Sequence, residues 1–391
     1  MKIFASLCKI LLLILLVLLV LSVSFHLSGP IGDLGQQIRS STLFAENTGQ
    51  QYHLQNGSLT VPEVPGYSTH GTETVPDAVS MMPPGFEIAS QYTHGTFYQD
   101  STAVVEFLVE NTGDTTIFVY SYGIELPPDN TFIGYDSGYT IKPGEEQMVG
   151  LVDVDVPNSD DELMLKPGLG VLVKSPSRGW YDYDIQFFEE FTVDVSPLPT
   201  VTDPDYRSNP PQLFEMTNLK VNSSTPGVRA VAAVPARTYA GAYNIYQVCA
   251  MFDHTQDNIN YISDPRGDDH WADPDETLTI GAGDCDDYAI LLSSLIEAIG
   301  GTTRIYITDT HAFCAVYIGD AGQPEEIAEA VRNYYGHVPV YYATDEHGSW
   351  LLLDPTSGLY AGDLPAGAVP TADGWGYVNT TTVNVIDILP E

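Results

Sequence analysis

The 391-residue chain is short of cations: 14 Lys and Arg stand against 52 Asp and Glu, a formal net charge of −38. A surface so poor in positive groups repels phosphate backbones, and no basic patch offsets it, so nucleic-acid binding is excluded. Such a charge keeps a protein soluble and suits a salty medium, without bearing on the fold. Cysteine is scarce as well. Four residues (Cys8, Cys249, Cys285, Cys314) are too few for a disulfide scaffold. Cys8 belongs to the leader, so the body keeps three, and one thiol is left without an intramolecular partner. The sequence holds no glycine-rich phosphate loop and no zinc-ligand spacing, so neither a cofactor nor a metal ligand is expected. Beyond residue 28 no long apolar run recurs. What is present suffices for folding: a chain 43% hydrophobic and 11% aromatic fills more than one core, and its length allows two to three domains.

Residues 1–28 read as a leader. Lys2 and Lys9 precede an uncharged run from Ile10 to Phe25, and Gly29-Pro30 breaks it. A short cationic start before an apolar stretch is the pattern of a secretory signal. The run is shorter than the roughly 20 residues that cross a bilayer upright, yet an uncleaved anchor stays open as the alternative. Cys8 lies before the run, the wrong side for a lipoprotein cysteine. Either way the remainder is expected outside the cell, secreted or on the extracellular face of the membrane, tied to it through the N-terminal segment if that is uncleaved. Sequons at Asn56, Asn222 and Asn379 fit this placement.

Composition divides the rest. Residues 29–90 are rich in Gly, Pro, Ser, Thr and Gln with no sustained period, and read as a flexible stalk. Residues 91–199 carry strand patterns: Ala103 to Glu110, Thr115 to Leu126, Tyr139 to Glu146, Met148 to Val156, Leu169 to Val173 and Tyr183 to Val195, separated by Asn-Thr-Gly and Lys-Pro-Gly turns. That spacing predicts a separate all-β antiparallel sandwich. The module resembles the immunoglobulin-like domains of cell surfaces, which implies a spacer or adhesion role. In residues 200–391 the period becomes helical, with Ile245, Val248, Cys249 and Phe252 on one stripe. On that stripe Cys249 reads as a buried small hydrophobe.

Chemistry concentrates in Gly281-Ala-Gly-Asp-Cys-Asp-Asp-Tyr288. Asp284 fits an N-cap and Asp287 the matching capping-box acid. Ala289, Leu292, Leu295, Ile296 and Ile299 supply an apolar face, and Gly300-Gly301 ends the helix. Cys285 is then the first helical residue, where free N–H groups favour a thiolate and offer donors to an oxyanion. Three neighbouring Asp residues oppose this, so a base is required. His311 heads the apolar strand Ala312 to Ile318 and is held more firmly than His270, His337 or His347, whose surroundings look exposed. Asp354 closes the buried strand Trp350-Leu-Leu-Leu353 and is placed to orient an imidazole. Cys314, three residues past His311 on a strand, points to the other face and reads as core, with a disulfide to Cys249 as the alternative.

The order Gly-Asp-Cys, His-Ala-Phe, Trp-Leu-Leu-Leu-Asp-Pro-Thr strongly resembles the transglutaminase-like superfamily, over roughly residues 225 to 363. The resemblance implies an α+β papain-like core, with a helix carrying Cys packed on an antiparallel sheet carrying His and Asp. It assigns Cys285 as nucleophile, His311 as general base and acid, and Asp354 as the orienting residue. Phe313 departs from the Trp of many relatives, and Trp271 is the candidate for a second oxyanion donor. A Cys285 thioester with a peptide or amide would follow. Water resolving it makes a cysteine protease or amidase, the first expectation because microbial relatives are often inferred to be proteases. A lysine amine makes a cross-linking acyltransferase. The rival of another class is a non-catalytic surface binding protein. The acidic loop from Asp264 to Glu276 lacks EF-hand spacing and reads as solvated instead of calcium-binding. The substrate is expected to be a protein or peptide, preferentially lysine-rich given the charge.

Overall fold

The computed structural model describes residues 32–33, 59–62, 73–127, 131–159, 162–176, 178–264, 270–320, 324–372 and 374–390. The leader over 1–28, the sequon at Asn56 and much of 29–90 lie outside the described residues. Among the described residues, no helix is long and apolar enough to cross a membrane.

Strands β1 (Ile88–His94), β2 (Thr102–Asn111) and β5 (Glu146–Asp155) form one antiparallel sheet in the order β1-β2-β5. The second runs β8-β6-β3-β4, from β3 (Ile117–Leu126), β4 (Thr131–Ile141), β6 (Leu163–Lys174) and β8 (Phe191–Val193), with β7 (Trp180–Phe187) also paired to β6. Alternation makes the sandwich: Val105, Phe107 and Val109 meet Ile117, Val119, Ile124, Leu169 and Val171 in one core. The Asn-Thr-Gly turn is held by Asn111, whose amide donates to the Thr115 and Ile141 carbonyls, both at 2.9 Å. A Cβ on Gly113 would lie 2.8 Å from the Glu87 nitrogen, so only glycine allows this approach. The segment Tyr139 to Glu146 is not one strand. It straddles the end of β4 and the Lys142–Glu145 turn, because the Pro-Gly pair stops the ladder there.

The second unit is built on a six-stranded sheet, order β9-β14-β10-β11-β13-β12: β9 (Asp205–Ser208), β10 (Thr303–Ile307), β11 (Ala312–Gly319), β12 (Tyr342–Asp345), β13 (Gly348–Leu353) and β14 (Thr382–Asp387). Neighbours are antiparallel except β9 with β14. Its helices are α1 (Pro211–Lys220), α2 (Pro226–Thr238), α3 (Ile245–Asn258), α4 (Pro274–Ile280), α5 (Cys285–Glu297) and α6 (Pro324–Tyr335). Both faces of the central strands are covered, which is why Ala312 to Ile318 and Trp350 to Leu353 read as unbroken apolar runs. Cys314, Val316, Leu351 and Leu353 pack with α3, α5 and α6. Phe313, Ala315, Trp350 and Leu352 pack on the other face with Trp375 and Tyr377.

Arg304 is 2% exposed and is bound by Asp345 and Asp387, with its guanidinium 3.7 Å from the Trp350 ring centre. Val104 of β2 and Leu151 of β5 turn away from the sandwich and join the helical core, so the two units share apolar contact. Parts of the expected stalk are seated as well. Thr60 bridges to Asn244, and Leu59 and Val61 pack on the helical core. Ser80 donates to the Trp180 carbonyl, and Gly32–Asp33 pairs with Tyr377 and Gly376. Backbone pairing and two aliphatic side chains suffice to fix these pieces in spite of the composition around them.

Candidate active site

Helix α5 starts at Cys285 with Asp284 as N-cap. Asp287 accepts from the Asp284 N–H (3.3 Å) and, through its other oxygen, from the Ala272 N–H (2.7 Å), so it clamps the loop before α4 to the nucleophile turn. Gly283 makes this possible: a Cβ there would come 2.6 Å from the Asp287 Cβ. The two-residue strand Asn260–Tyr261 runs parallel to Ala282–Gly283, and the Tyr288 hydroxyl donates to the Ile259 carbonyl. The helix ends as its sequence indicates, with Gly300 at φ 93° and the Gly301 N–H bonded to the Ile296 carbonyl.

His311 lies one residue before β11. Its N–H donates to the Thr308 hydroxyl (3.0 Å) and its carbonyl accepts from the Thr308 N–H (2.8 Å), which fixes the backbone at the strand mouth. The Phe313 ring stacks beside the imidazole, with ring centres 6.3 Å apart. Leu353 pairs with Cys314 across β11 and β13, and this register delivers Asp354 to the histidine. His311 Nε2 meets Asp354 Oδ2 at 2.7 Å, and Cys285 lies near enough to the same ring to help raise its pKa. Sequence reasoning named all three residues, and the fold brings them together.

Asp354 is 2% exposed and accepts four further hydrogen bonds, from the Thr356 N–H and hydroxyl, the Ser357 hydroxyl and the Ala366 N–H. Burial alone would raise its pKa; the His311 charge and these donors outweigh that and hold it down at about 2. Burial likewise works against a charged His311, yet the Asp354 charge and hydrogen bond, aided by Cys285, lift it to about 10. The imidazolium is therefore the resting form.

The other thiols are different. Cys249 and Cys314 are buried and free, with no disulfide between them. Burial pushes Cys249 far up and Cys314 to about 12, the latter against a hydrogen bond from Ser293. Of the remaining histidines, His270 pairs with Glu276 at 3.2 Å, His337 stacks on Tyr135 at 5.2 Å, and His347 lies beside Glu346. Trp271 packs with Val221, Ala289, Ile290, Ile305 and Ile386, which leaves the second oxyanion donor unassigned.

Two features escaped sequence reasoning. Tyr261 is 53% exposed beside the nucleophile; burial and then the Cys285, Asp284 and Asp354 charges raise its pKa. Its only signal was its place in the stretch Ile259 to Ile262. Asp286, which had no capping role to reveal it, is buried, and burial with the adjacent Asp284 pushes its carboxyl up to about 9. Of the acidic loop, residues 265–269 lie outside the described residues.

The profile of the transglutaminase-like superfamily matches residues 232–355, and this segment carries a transglutaminase-like core. That superfamily consists generally of thiol enzymes, of cysteine protease or acyltransferase type. Among solved structures, a protein from Parabacteroides distasonis described as a candidate protease is 11% identical, over 58% of this chain and 65% of its own, with a TM-score of 0.23. A CARDB domain from Pyrococcus furiosus, solved with two metal ions, is 15% identical over 32% of this chain and all of its own, with a TM-score of 0.19. No curated protein matches the sequence.

Proposed function

We propose that the chain is a cell-surface or secreted thiol hydrolase, a cysteine protease or amidase, whose sandwich serves as an immunoglobulin-like spacer. The observation that carries this is the junction of a helix-start thiol, a charged imidazole and a buried carboxylate in Cys285, His311 and Asp354. Cys285 Sγ, as the thiolate whose proton His311 carries, attacks the amide carbonyl and the C–S bond forms. The oxyanion is met by the backbone N–H groups at the start of α5. His311 passes its proton to the leaving nitrogen as the C–N bond breaks. Water then adds to the thioester, giving its proton to His311, and the C–S bond breaks to release the acid and restore the thiolate beside the protonated His311. A lysine amine in place of water would make the same site a cross-linking acyltransferase. The flanking acids and the net charge of −38 favour lysine-rich substrates at low ionic strength.

An electrophilic amide mimic tests the reading. It labels Cys285 in the folded, reduced protein, spares Cys249 and Cys314, and loses its target in His311→Ala. A folded protein that resists labelling would mean a binding module instead. Glutaminyl peptide with and without excess amine separates hydrolysis from transfer. Equal rates on neutral and basic peptides as salt is lowered would remove the charge preference.

A further inference from the structure

The backbone N–H groups at the start of α5 face one side of a developing oxyanion, and with Trp271 seated on another core the opposite side lacks a donor. Most hydroxyls around the triad are already engaged. Tyr288 donates to the Ile259 carbonyl, Thr356 and Ser357 donate to Asp354, and Thr308 donates to the His311 carbonyl. Tyr261 is not committed in this way. Its side is 53% exposed, and among the described residues no carbonyl or carboxylate takes the proton of its hydroxyl. Its backbone is nonetheless fixed. The Asn260 N–H donates to the Gly281 carbonyl at 2.8 Å and the Ile262 N–H to the Gly283 carbonyl at 2.9 Å, which pins the chain on both sides of Tyr261 and sets it opposite Gly283, just before the nucleophile turn. Cys285 and Tyr288 are neighbours on one face of α5. The Tyr261 ring packs against the Tyr288 ring with centres 6.3 Å apart, so it lies along the face that presents the thiol.

We propose that Tyr261 is a catalytic residue, its hydroxyl the second donor to the oxyanion, opposite the backbone N–H groups of α5. The role rests on the thiol-hydrolase reading of the site. As the Cys285 thiolate adds to the carbonyl carbon, the C=O electron pair moves onto oxygen, and the Tyr261 O–H hydrogen-bonds to it without giving up its proton. Collapse re-forms the C=O, breaks the C–N bond and expels the amine, which takes its proton from His311. The same contact serves the tetrahedral adduct that water forms with the thioester. Burial and then the Cys285 charge hold the phenol above its ordinary pKa, so it keeps the proton it must offer at neutral pH. A hydrogen bond to a charged oxygen is stronger than one to a neutral carbonyl, so the contact favours the transition state over the bound substrate and acts on kcat more than on KM.

Two probes of Cys285 in the full, reduced chain separate this role from others. p-Nitrophenyl acetate acylates the thiolate through an oxyanion and is read as a burst of nitrophenolate that Cys285→Ala must abolish. Iodoacetamide alkylates the same thiolate by displacement and forms no oxyanion. Tyr261→Phe keeps the ring against Tyr288 and removes only the hydroxyl. It should slow the burst at least about tenfold, less than the roughly 10²–10³-fold that a lost oxyanion donor costs in amide cleavage because the ester is activated. Its iodoacetamide rate should match the parent's, and Tyr261→Ala should lose about as much of the burst as Tyr261→Phe. A burst unchanged in Tyr261→Phe would overturn the role, as would a loss confined to Tyr261→Ala, which marks a packing wall. An equal fall with both probes would overturn it too, by making Tyr261 a support for the thiol. A parent that reacts with iodoacetamide yet gives no burst would remove the hydrolase reading itself, and this role with it.

Discussion

Asp354→Asn keeps the side chain's shape and removes the charge that holds His311 protonated. In the parent protein the ring is lifted from its ordinary 6.5 to about 10. That rise of about 3.5 pK units at 1.36 kcal/mol each amounts to about 5 kcal/mol, at the top of the range of roughly 3–5 kcal/mol for breaking a buried ion pair. The His311 side chain is only 10% exposed, so solvent does little to replace the lost partner, and burial carries the ring to or below 6.5. The pair's contribution to stability has a definite pH range. Asp354 is depressed, so its share is present above pH 3.8 and is lost as pH falls toward 2. His311 is raised, so its share is complete below 6.5 and is lost as pH rises through 10. The stability gap between parent and variant should thus be widest between about pH 4 and 6.5 and narrow at alkaline pH. Proton NMR of the His311 Cε1–H, assigned against a His311→Ala sample, follows the ring directly, and denaturant titration follows the gap. A ring that still titrates near 10 in the variant, or near 6.5 in the parent, would refute the reasoning.

Arg304→Met strands Asp345 and Asp387 in the sheet and should lower stability by about 3–5 kcal/mol in guanidinium unfolding; exchanging all three residues for apolar ones should recover most of the loss. Asp253 in α3 accepts from the Tyr335 and Tyr334 hydroxyls, but burial prevails and raises its pKa to about 7. The unfolded chain gives up this proton earlier, so Asp253 destabilises the fold progressively from about pH 4 to 7 and no further above that. Asp253→Asn should remove that slope, gaining about 4 kcal/mol at pH 8 relative to pH 4; parallel stability curves for the two proteins would contradict it.

Periodicity carried much of this protein in its sequence. The strands of both units show as apolar runs, because a strand's burial is written in its own neighbours. The start of α5 is equally local: Gly281 to Tyr288 holds its own cap, its own clamp and the thiol. The histidine and the orienting acid were legible because each sits at the end of such a run, where a buried strand meets the surface. The limits follow from the same physics. Trp271, the candidate oxyanion donor, is seated on the small core that includes Ile305 and Ile386, a wall that nothing local in the sequence announces. Composition marked residues 29–90 as a stalk, but Leu59 and Val61 find a core that only the folded second unit provides. The partners of Arg304 lie 41 and 83 residues away, joined by sheet register alone. Asp286 shows most clearly what tertiary structure decides. In sequence it is one acid among 52; in the fold it is a buried carboxyl beside the nucleophile, pushed up to about 9 by burial and by the adjacent Asp284. Burial and the geometry of distant partners set the energy of a charge, and neither is a property of its sequence neighbours.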